Sequence, residues 1–553
     1  MVYPVRRSVH FPMPPDSGFS NHGIAADAGA QSCPQQLIEN SPRNKMWGLL
    51  LVCLILWILG LVIYSEGNDF PYFYHTDEPS KAEQLVTGNR NFFHPALMLN
   101  ATDLLSRALG IPRTEQDMVV VGRHVSACFA SLTLLGFALV TRQLAGNGAG
   151  VIAWVSCLLL GDFYDAAHYM KEDPYWLSGL AFTVLAGLRY TANPSRRLAI
   201  LVGLAAGWSV AGKYIGILAV FIALICVLTT HRSTVTQRGS NLLSMLLCVC
   251  GVFLCVNYQM LSNPMGLWAG LDKEVDALHS EYHQRKADEK SLRYLEILEE
   301  TVPPIAQGLY LGLLVLAVRR WKSVSAPEKI LVFLPLILFL VLSLTPKGSV
   351  RYFLPIGLMM MTSAAVACAR LAYFPKFGKF QSIALTLGFL CLIVPMVNAA
   401  KKHRKDMLKD HRRQLGMFLT SSIQPNAVVL SSYHAGILNS QDERCIGFAN
   451  LAPQTFVMAQ NAYEKGTLDD LLAQGVTHVV VTGRDFTRSL DNLGNPQVQK
   501  MTEQRRKQLQ KELESQGTVL WHIKKGGNKY LNPALTLYQL PTKPALAPSG
   551  GQP

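Results

Sequence analysis

Stretches of about 17 to 22 apolar residues, the length that crosses a bilayer, recur from residue 46 to residue 400 and are separated by short polar loops. They fall at about 46–64, 118–141, 147–161, 175–190, 197–212, 214–230, 241–262, 303–318, 329–345, 352–370 and 382–399. This pattern predicts a polytopic α-helical membrane protein with about eleven transmembrane helices. The third, fourth and fifth stretches are short or glycine-rich, which leaves the count open by about one or two. Beyond residue 400 the period changes. AVVLSSYH, THVVVTG, TVLWHIKK and LTLYQL read as short strands and EQRRKQLQKELESQG as a helix, which predicts a small C-terminal soluble α/β domain.

Loop charge orients the spans. With the N-terminus on the cytoplasmic side, the inside loops LVTRQLAGN, RYTANPSRR, THRSTVTQRGS, RRWKSVSAPEK and ARLAYFPKFGK hold about thirteen Lys or Arg and a single acidic residue, Glu328. The opposite loops, about 65–117, 161–174 and 263–302, hold about twenty acidic residues. The basic run KKHRKDMLKDHRR after the last stretch opposes this assignment, because an odd number of spans puts it outside. Long C-terminal domains translocate regardless of flanking charge, and such a run also suits anionic headgroups at the outer face.

Composition agrees with the membrane class. Half of the 553 residues are apolar and only 16% are charged, where soluble proteins carry about a quarter. The formal charge of +14 does not point to nucleic acid, because the basic residues lie between apolar runs rather than in one patch. Several of the 11 cysteines lie inside apolar runs and no CxxC pair with metal spacing occurs. The expected organisation is a disordered cytoplasmic tail over 1–45, a transmembrane catalytic domain over 46–400, the soluble domain over 401–540 and a disordered tail over 541–553. The first apolar run, preceded by Arg43 and Lys45, reads as an anchor retained in the protein rather than a cleaved leader.

Charged residues close to spans are costly and usually have partners or a task. The outer loops hold FYHTDEPSKAEQ with adjacent Asp77 and Glu78, GDFYDAAHYMKEDPYW with Asp162, Asp165, His168, Lys171, Glu172 and Asp173, and LTPKGSVRYFLP with Lys347 and Arg351. Lys213 interrupts the apolar GWSVAGKYIGIL. Each feature also has a plainer reading. Asp77 and Glu78 precede a helix whose Ser80-x-x-Glu83 fits a capping box, and Glu78 is placed to orient the loop or hold Lys81. His94 in FFHPALML suits a surface turn shaped by Pro95, and Asp173 beside Pro174 suits the first turn of a helix. Lys347, Arg351 and Lys213 suit interfacial snorkelling, and Trp176 a membrane-edge anchor. Asp162, Asp165 and His168 fit no firm metal spacing.

Taken in order, the motifs resemble one family. An aspartate–glutamate pair lies in the first outer loop, followed by FFHPALML and by an arginine opening the second span, VGRHVSACFASL. An aspartate then precedes the fourth span, and GxxxGWSxxxK and SVRYFLP follow. Over about residues 46–400 the chain resembles the GT-C glycosyltransferases of the family 39-like group, which includes the protein O-mannosyltransferases and the lipid A aminoarabinose transferases. The resemblance implies an integral-membrane, inverting glycosyltransferase. It would move a sugar from a polyprenyl-phosphate donor to an acceptor hydroxyl of a lipid, glycan or protein on the non-cytoplasmic side. Asp77 and Glu78 are the implied catalytic acids, Asp173 a second acidic or acceptor site, and Arg351, Lys347, His94 and Lys213 the donor-phosphate ligands. It further implies a multi-pass protein of the bacterial inner membrane with its site toward the periplasm. Metal dependence stays open, a divalent cation being the candidate. A transporter or flippase of lipid-linked sugars is the alternative. That class places charges mid-span and shows two related halves, whereas no internal repeat is visible here.

Overall fold

The computed structural model describes residues 43–68, 77–230, 234–279, 293–343, 350–372, 380–432, 435, 454–459, 461–487, 496–527 and 531–541. The chain divides into two units, Met1–Val52 and Cys53–Pro553, and of the first only the opening turns of a helix are described. The expected tails lie almost wholly outside the described residues, and Lys347 lies outside them too.

Most described residues are helical. The elements that position the site are α1 (Arg43–Ser65), α2 (Glu78–Thr87), α3 (Leu97–Ala108), α4 (Glu115–Ala145), α5 (Asn147–Leu158), α6 (Gly161–His168), α7 (Asp173–Ala192), α8 (Arg196–Gly212), α9 (Ile217–Leu228) and α10 (Val235–Val256). After these come α11 (Arg293–Thr301), α12 (Pro304–Arg319), α13 (Ala326–Ser343), α14 (Leu354–Ala372), α15 (Gln381–Leu408) and α16 (His411–Ser422). Their starts follow local chemistry. Thr114, Ser195 and Thr234 each accept a hydrogen bond from the backbone N–H three residues on, satisfying a donor that the first turn leaves without a partner.

Six helices among the described residues are long and apolar enough to cross a membrane, and eight if each of two bent pairs counts as one span. The sequence pattern suggests about eleven. The stretches 197–212 and 214–230 form a 17-residue helix and a 12-residue one, separated at Lys213, whose backbone is extended (φ −161°, ψ 145°). The stretch at 147–161 instead continues into α6 with a bend of 68°, and α11 meets α12 at 104°.

The helices pack by close approach. α7 is buried along nearly its whole length and packs against α4, α8 and α9, while α14 is almost entirely enclosed. The GLAAG segment of α8 lies on α10: a Cβ at Gly207 would come 2.9 Å from the Val249 carbonyl, and one at Gly203 would meet the Met245 carbonyl. Glycine at these two positions lets the backbones touch, as in small-xxx-small membrane contacts. The basic run continues α15 as helix. There Arg404 pairs with Glu66 at 2.5 and 2.6 Å and His403 lies 3.3 Å from Asp165. The run therefore sits at the same end of the bundle as the first and second outer loops.

Five strands follow: β1 (Val428–Ser432), β2 (Thr455–Ala459), β3 (His478–Thr482), β4 (Thr518–Ile523) and β5 (Leu535–Gln539), in the order β2-β1-β3-β5-β4. β2, β1 and β3 are parallel, and β5 is antiparallel to both β3 and β4. Alternation along β3 sends Val480 into a core with Leu415 and Leu419 of α16. Val479 and Val481 pack on the opposite face with Leu471 and Leu509, from the helices Leu468–Ala473 and Pro496–Gln516. A strand with a period of two and helices on both sides buries both faces of the sheet. β2, from TFVMA, is a strand that the sequence reading does not single out.

Candidate active site

Four segments meet at one end of the bundle: the start of α2, the turn 169–173, the α8 terminus and the segment that leads into α14. The deepest layer is an ion pair. Arg123, in the third turn of α4, donates from Nε and Nη2 to the two oxygens of Glu78 at 3.2 and 2.9 Å, and both side chains are fully buried. A buried guanidinium–carboxylate fork of this kind is strongly destabilising to break, because removal of one partner strands the other charge.

Glu78 and Lys81 are three apart on α2 and so share a face. Together they clasp the backbone of Met170: its N–H donates to Glu78 Oε1 at 3.0 Å, and its carbonyl accepts from Lys81 Nζ at 3.2 Å. The Met170 side chain occupies the space that a Cβ at Gly122 would need. Lys81 also pairs with Glu172 at 2.6 Å. Glu78 thus does not hold Lys81; it holds Arg123, and Glu172 takes Lys81. This clasp fixes the turn that carries Lys171, Glu172 and Asp173.

Asp77 occupies the N-cap position of α2 but its side chain makes no cap hydrogen bond. The helix begins at Glu78, so Ser80 falls inside it and the capping-box reading of Ser80 and Glu83 does not describe its start. The Asp77 carboxylate instead reaches Lys171 Nζ at 3.0 Å and approaches Arg351 Nη1 at 4.0 Å through the same Oδ2. Its side chain is 42% exposed and that of Arg351 40%, whereas that of Lys171 is 4% exposed. Asp173 accepts from Lys213 Nζ at 2.7 Å and lies 3.5 Å from Trp176 Nε1. The Tyr352 ring lies under two cations, with Lys213 Nζ 5.9 Å and the Arg351 guanidinium 5.3 Å from its centre.

His94 stands 4.0 Å from Glu172, on a turn where Phe92 adopts a left-handed backbone with φ 50°. Tyr214 holds that turn by donating to the Phe92 carbonyl at 2.9 Å. A buried phenylalanine in this conformation costs about 1–2 kcal/mol, which the packing around it must offset.

Four cations, Lys81, Lys171, Lys213 and Arg351, therefore face three carboxylates, Asp77, Glu172 and Asp173. The balance leaves one positive charge in excess, before His94 is counted. The field is strong enough to reverse the effect of burial on Glu172: desolvation pushes its carboxyl up, but Lys81, His94 and Lys213 hold it at about 2. For Lys171 burial comes first and lowers it, Arg351 and Lys81 add to that, and Asp77 and Asp173 oppose it, for a net value of about 8.

Of the residues the sequence singled out, Asp77, Glu78, His94, Asp173, Lys213 and Arg351 converge here. Glu78 lies beneath the others as a folded-in partner of Arg123. Asp162, Asp165 and His168 each bond a different partner: Asp162 accepts from Thr301 at 2.9 Å, Asp165 faces His403, and His168 Nδ1 bonds the Tyr164 carbonyl. Among the described residues no group of three or more His, Cys, Asp or Glu side chains is placed to hold a metal ion. Lys171 and Glu172 carry no assigned role in the sequence reading. Their signal was the KED triplet just ahead of Pro174, three charges where one would cap a helix.

The sequence matches no protein-family model and no curated protein. Among solved structures the chain is similar to ArnT from Cupriavidus metallidurans bound to undecaprenyl phosphate, with 12% identity and a TM-score of 0.47 over 89% of this chain and 98% of that one. It is also similar to the Archaeoglobus fulgidus oligosaccharyltransferase in complex with zinc and sulfate, at 14% identity and a TM-score of 0.40, covering 78% and 65%. A third similarity is to the S. cerevisiae protein O-mannosyltransferase Pmt1-Pmt2 complex bound to the sugar donor, at 16% identity and a TM-score of 0.34, covering 39% and 34%.

Proposed function

We propose that this chain is an integral-membrane, inverting glycosyltransferase of the GT-C kind, taking a sugar from a polyprenyl-phosphate donor and passing it to an acceptor hydroxyl on the non-cytoplasmic side. The observation that carries the reading is Asp77: a helix-start carboxylate that caps nothing, stays half-exposed, and sits between Lys171 and Arg351. In this reaction the acceptor oxygen bonds to C1 of the sugar as the bond from C1 to the phosphate oxygen breaks. The acceptor proton passes to the Asp77 carboxylate, and the bonding pair leaves with the lipid phosphate. The base and the electrostatic requirement are thus separate. Asp77 supplies the first. Arg351, Lys171 and Lys213, with His94 at the rim, supply the second, and Lys347, four residues before Arg351 in the sequence, is assigned the same task. A phosphate diester leaves as a stable anion, so no strong general acid is needed, unlike in a two-carboxylate glycosidase. Asp173 orients Lys213 and borders the acceptor side.

In the same reading the transmembrane catalytic region runs to about residue 400 and the sheet-bearing region follows it on the outer side, in a bacterial inner membrane with the site toward the periplasm. Among the described residues each carboxylate of the cradle faces a cation. The test is release of polyprenyl phosphate from a radiolabelled polyprenyl-phosphate sugar by purified protein. Asp77→Asn keeps the shape but accepts no proton, and it should lower transfer by about two to four orders of magnitude with unchanged expression and melting. Full activity in a well-folded Asp77→Asn protein would overturn the assignment. Movement of intact donor across vesicles without release would favour the transporter alternative.

A further inference from the structure

One contact at the site runs against the chemistry just assigned, since the oxygen that would take a proton already accepts from an ammonium. We propose that Lys171 is an exchangeable latch: it holds Asp77 in the donor-free protein and is drawn onto the donor phosphate when that group enters beside Arg351, releasing Asp77 to act as base. The proposal rests on the glycosyltransferase reading and adds to it an order of events, in which the base becomes available only once the donor is seated.

The geometry supports exchange rather than a fixed pair. The backbone at Met170 is clasped by Glu78 and Lys81, so Lys171 cannot leave the site as a whole. Its flexible four-carbon stem can still swing the ammonium between neighbouring anions, which a forked guanidinium does less readily. The groups facing Lys171 are Asp77 and Asp173 on one side of the charge balance and Arg351 and Lys81 on the other. Asp173 is already paired with Lys213 at 2.7 Å, and Arg351 is a like charge that shares Asp77 Oδ2 with Lys171. The lysine is therefore buried against a counter-charge, Asp77, that it must share with Arg351. An anion entering between Lys171 and Arg351 would relieve that repulsion and compete for both. Burial, with Arg351 adding to it, leaves the lysine at about 8, so its charge, and with it the attraction for phosphate, is lost as pH rises through that value.

The experiment uses full-length protein in detergent and polyprenyl phosphate, the reaction product, as the probe. Removal of the competing carboxylate should tighten binding: Asp77→Asn is expected to bind polyprenyl phosphate about five- to tenfold more strongly than the parent, a shift of about 1 kcal/mol. In a Lys171→Met background the same Asp77→Asn change should give no gain. An equal gain in both backgrounds would mean that Asp77 acts only through its overall charge, and the latch would be overturned. Rates give the second readout. The parent kcat/KM for donor should fall above about pH 8. Lys171→Arg should keep part of the rate and lose that fall, because an arginine stays charged. If Lys171→Arg keeps the same alkaline limb, the lysine is not the titrating partner and the latch fails. Both outcomes are separable from the functional reading, which stands or falls on Asp77→Asn turnover.

Discussion

Two layers of charge lie one above the other at the mouth of the bundle, and they differ in a single respect. In the lower layer Glu78 and Arg123 are fully enclosed, forked together, and tied to the Met170 backbone. In the upper layer Asp77 and Arg351 stand 4.0 Å apart and are each about two-fifths exposed, with Lys171 3.0 Å from the same Asp77 oxygen. Neighbouring carboxylates in the sequence thus have opposite tasks. A pair closed off from water holds segments in place, since neither ion has anywhere else to go. A pair open to water can trade partners, and so can take part in binding and turnover.

This contrast is sharpest at Arg123. Arg123→Met would leave Glu78 buried without its cation, at a cost of about 3–5 kcal/mol, so folded, monodisperse protein should be largely lost and any remainder should melt well below the parent in detergent. A variant that melts like the parent would erase the distinction between the layers. In the upper layer the effect should fall on rate instead. Arg351→Ala is expected to reduce turnover by about two to three orders of magnitude with unchanged melting. Arg351→Lys should recover only part of it, because the two-pronged contact to phosphate is gone. Loss of folded protein in Arg351→Ala would move this residue to the lower layer. The smallest effect is expected at the rim. Glu66 and Arg404 form an exposed pair, which usually contributes little, so Glu66→Gln should change neither steady-state transfer nor melting, and a clear loss in either would show that the seat of the basic run matters.

The legible part of the molecule was the part written locally. Apolar stretch length marks the long helices, and the strand-like runs AVVLSSYH and THVVVTG contain β1 and β3. Asp77 stood out because two adjacent acids beside a membrane exit ask for a reason. The partners were not legible, because they come from far along the chain: Arg123 lies 45 residues from Glu78 and Lys213 lies 40 from Asp173. Nothing local distinguishes a lysine that will be buried, such as Lys171, from one that will face water. The break at Lys213 was legible, since one apolar stretch ends at 212 and the next resumes at 214, but the counter-charge Asp173 that meets it was not.

The helix Gln381–Leu408 has 28 residues, which at 1.5 Å each is about 42 Å, while the hydrocarbon layer is about 30 Å thick. Roughly two turns must therefore stand clear of the lipid, and these are the turns that carry His403 and Arg404. They act as a spacer of fixed length and fixed phase. Deleting one residue there would turn everything beyond it by about 100° and swing both side chains away from Asp165 and Glu66. Adding a full turn would keep the facing but raise the sheet by about 5.4 Å. The distance between the lipid and the sheet that follows is thus set by a residue count in one helix, and insertions of three or four residues measure it directly.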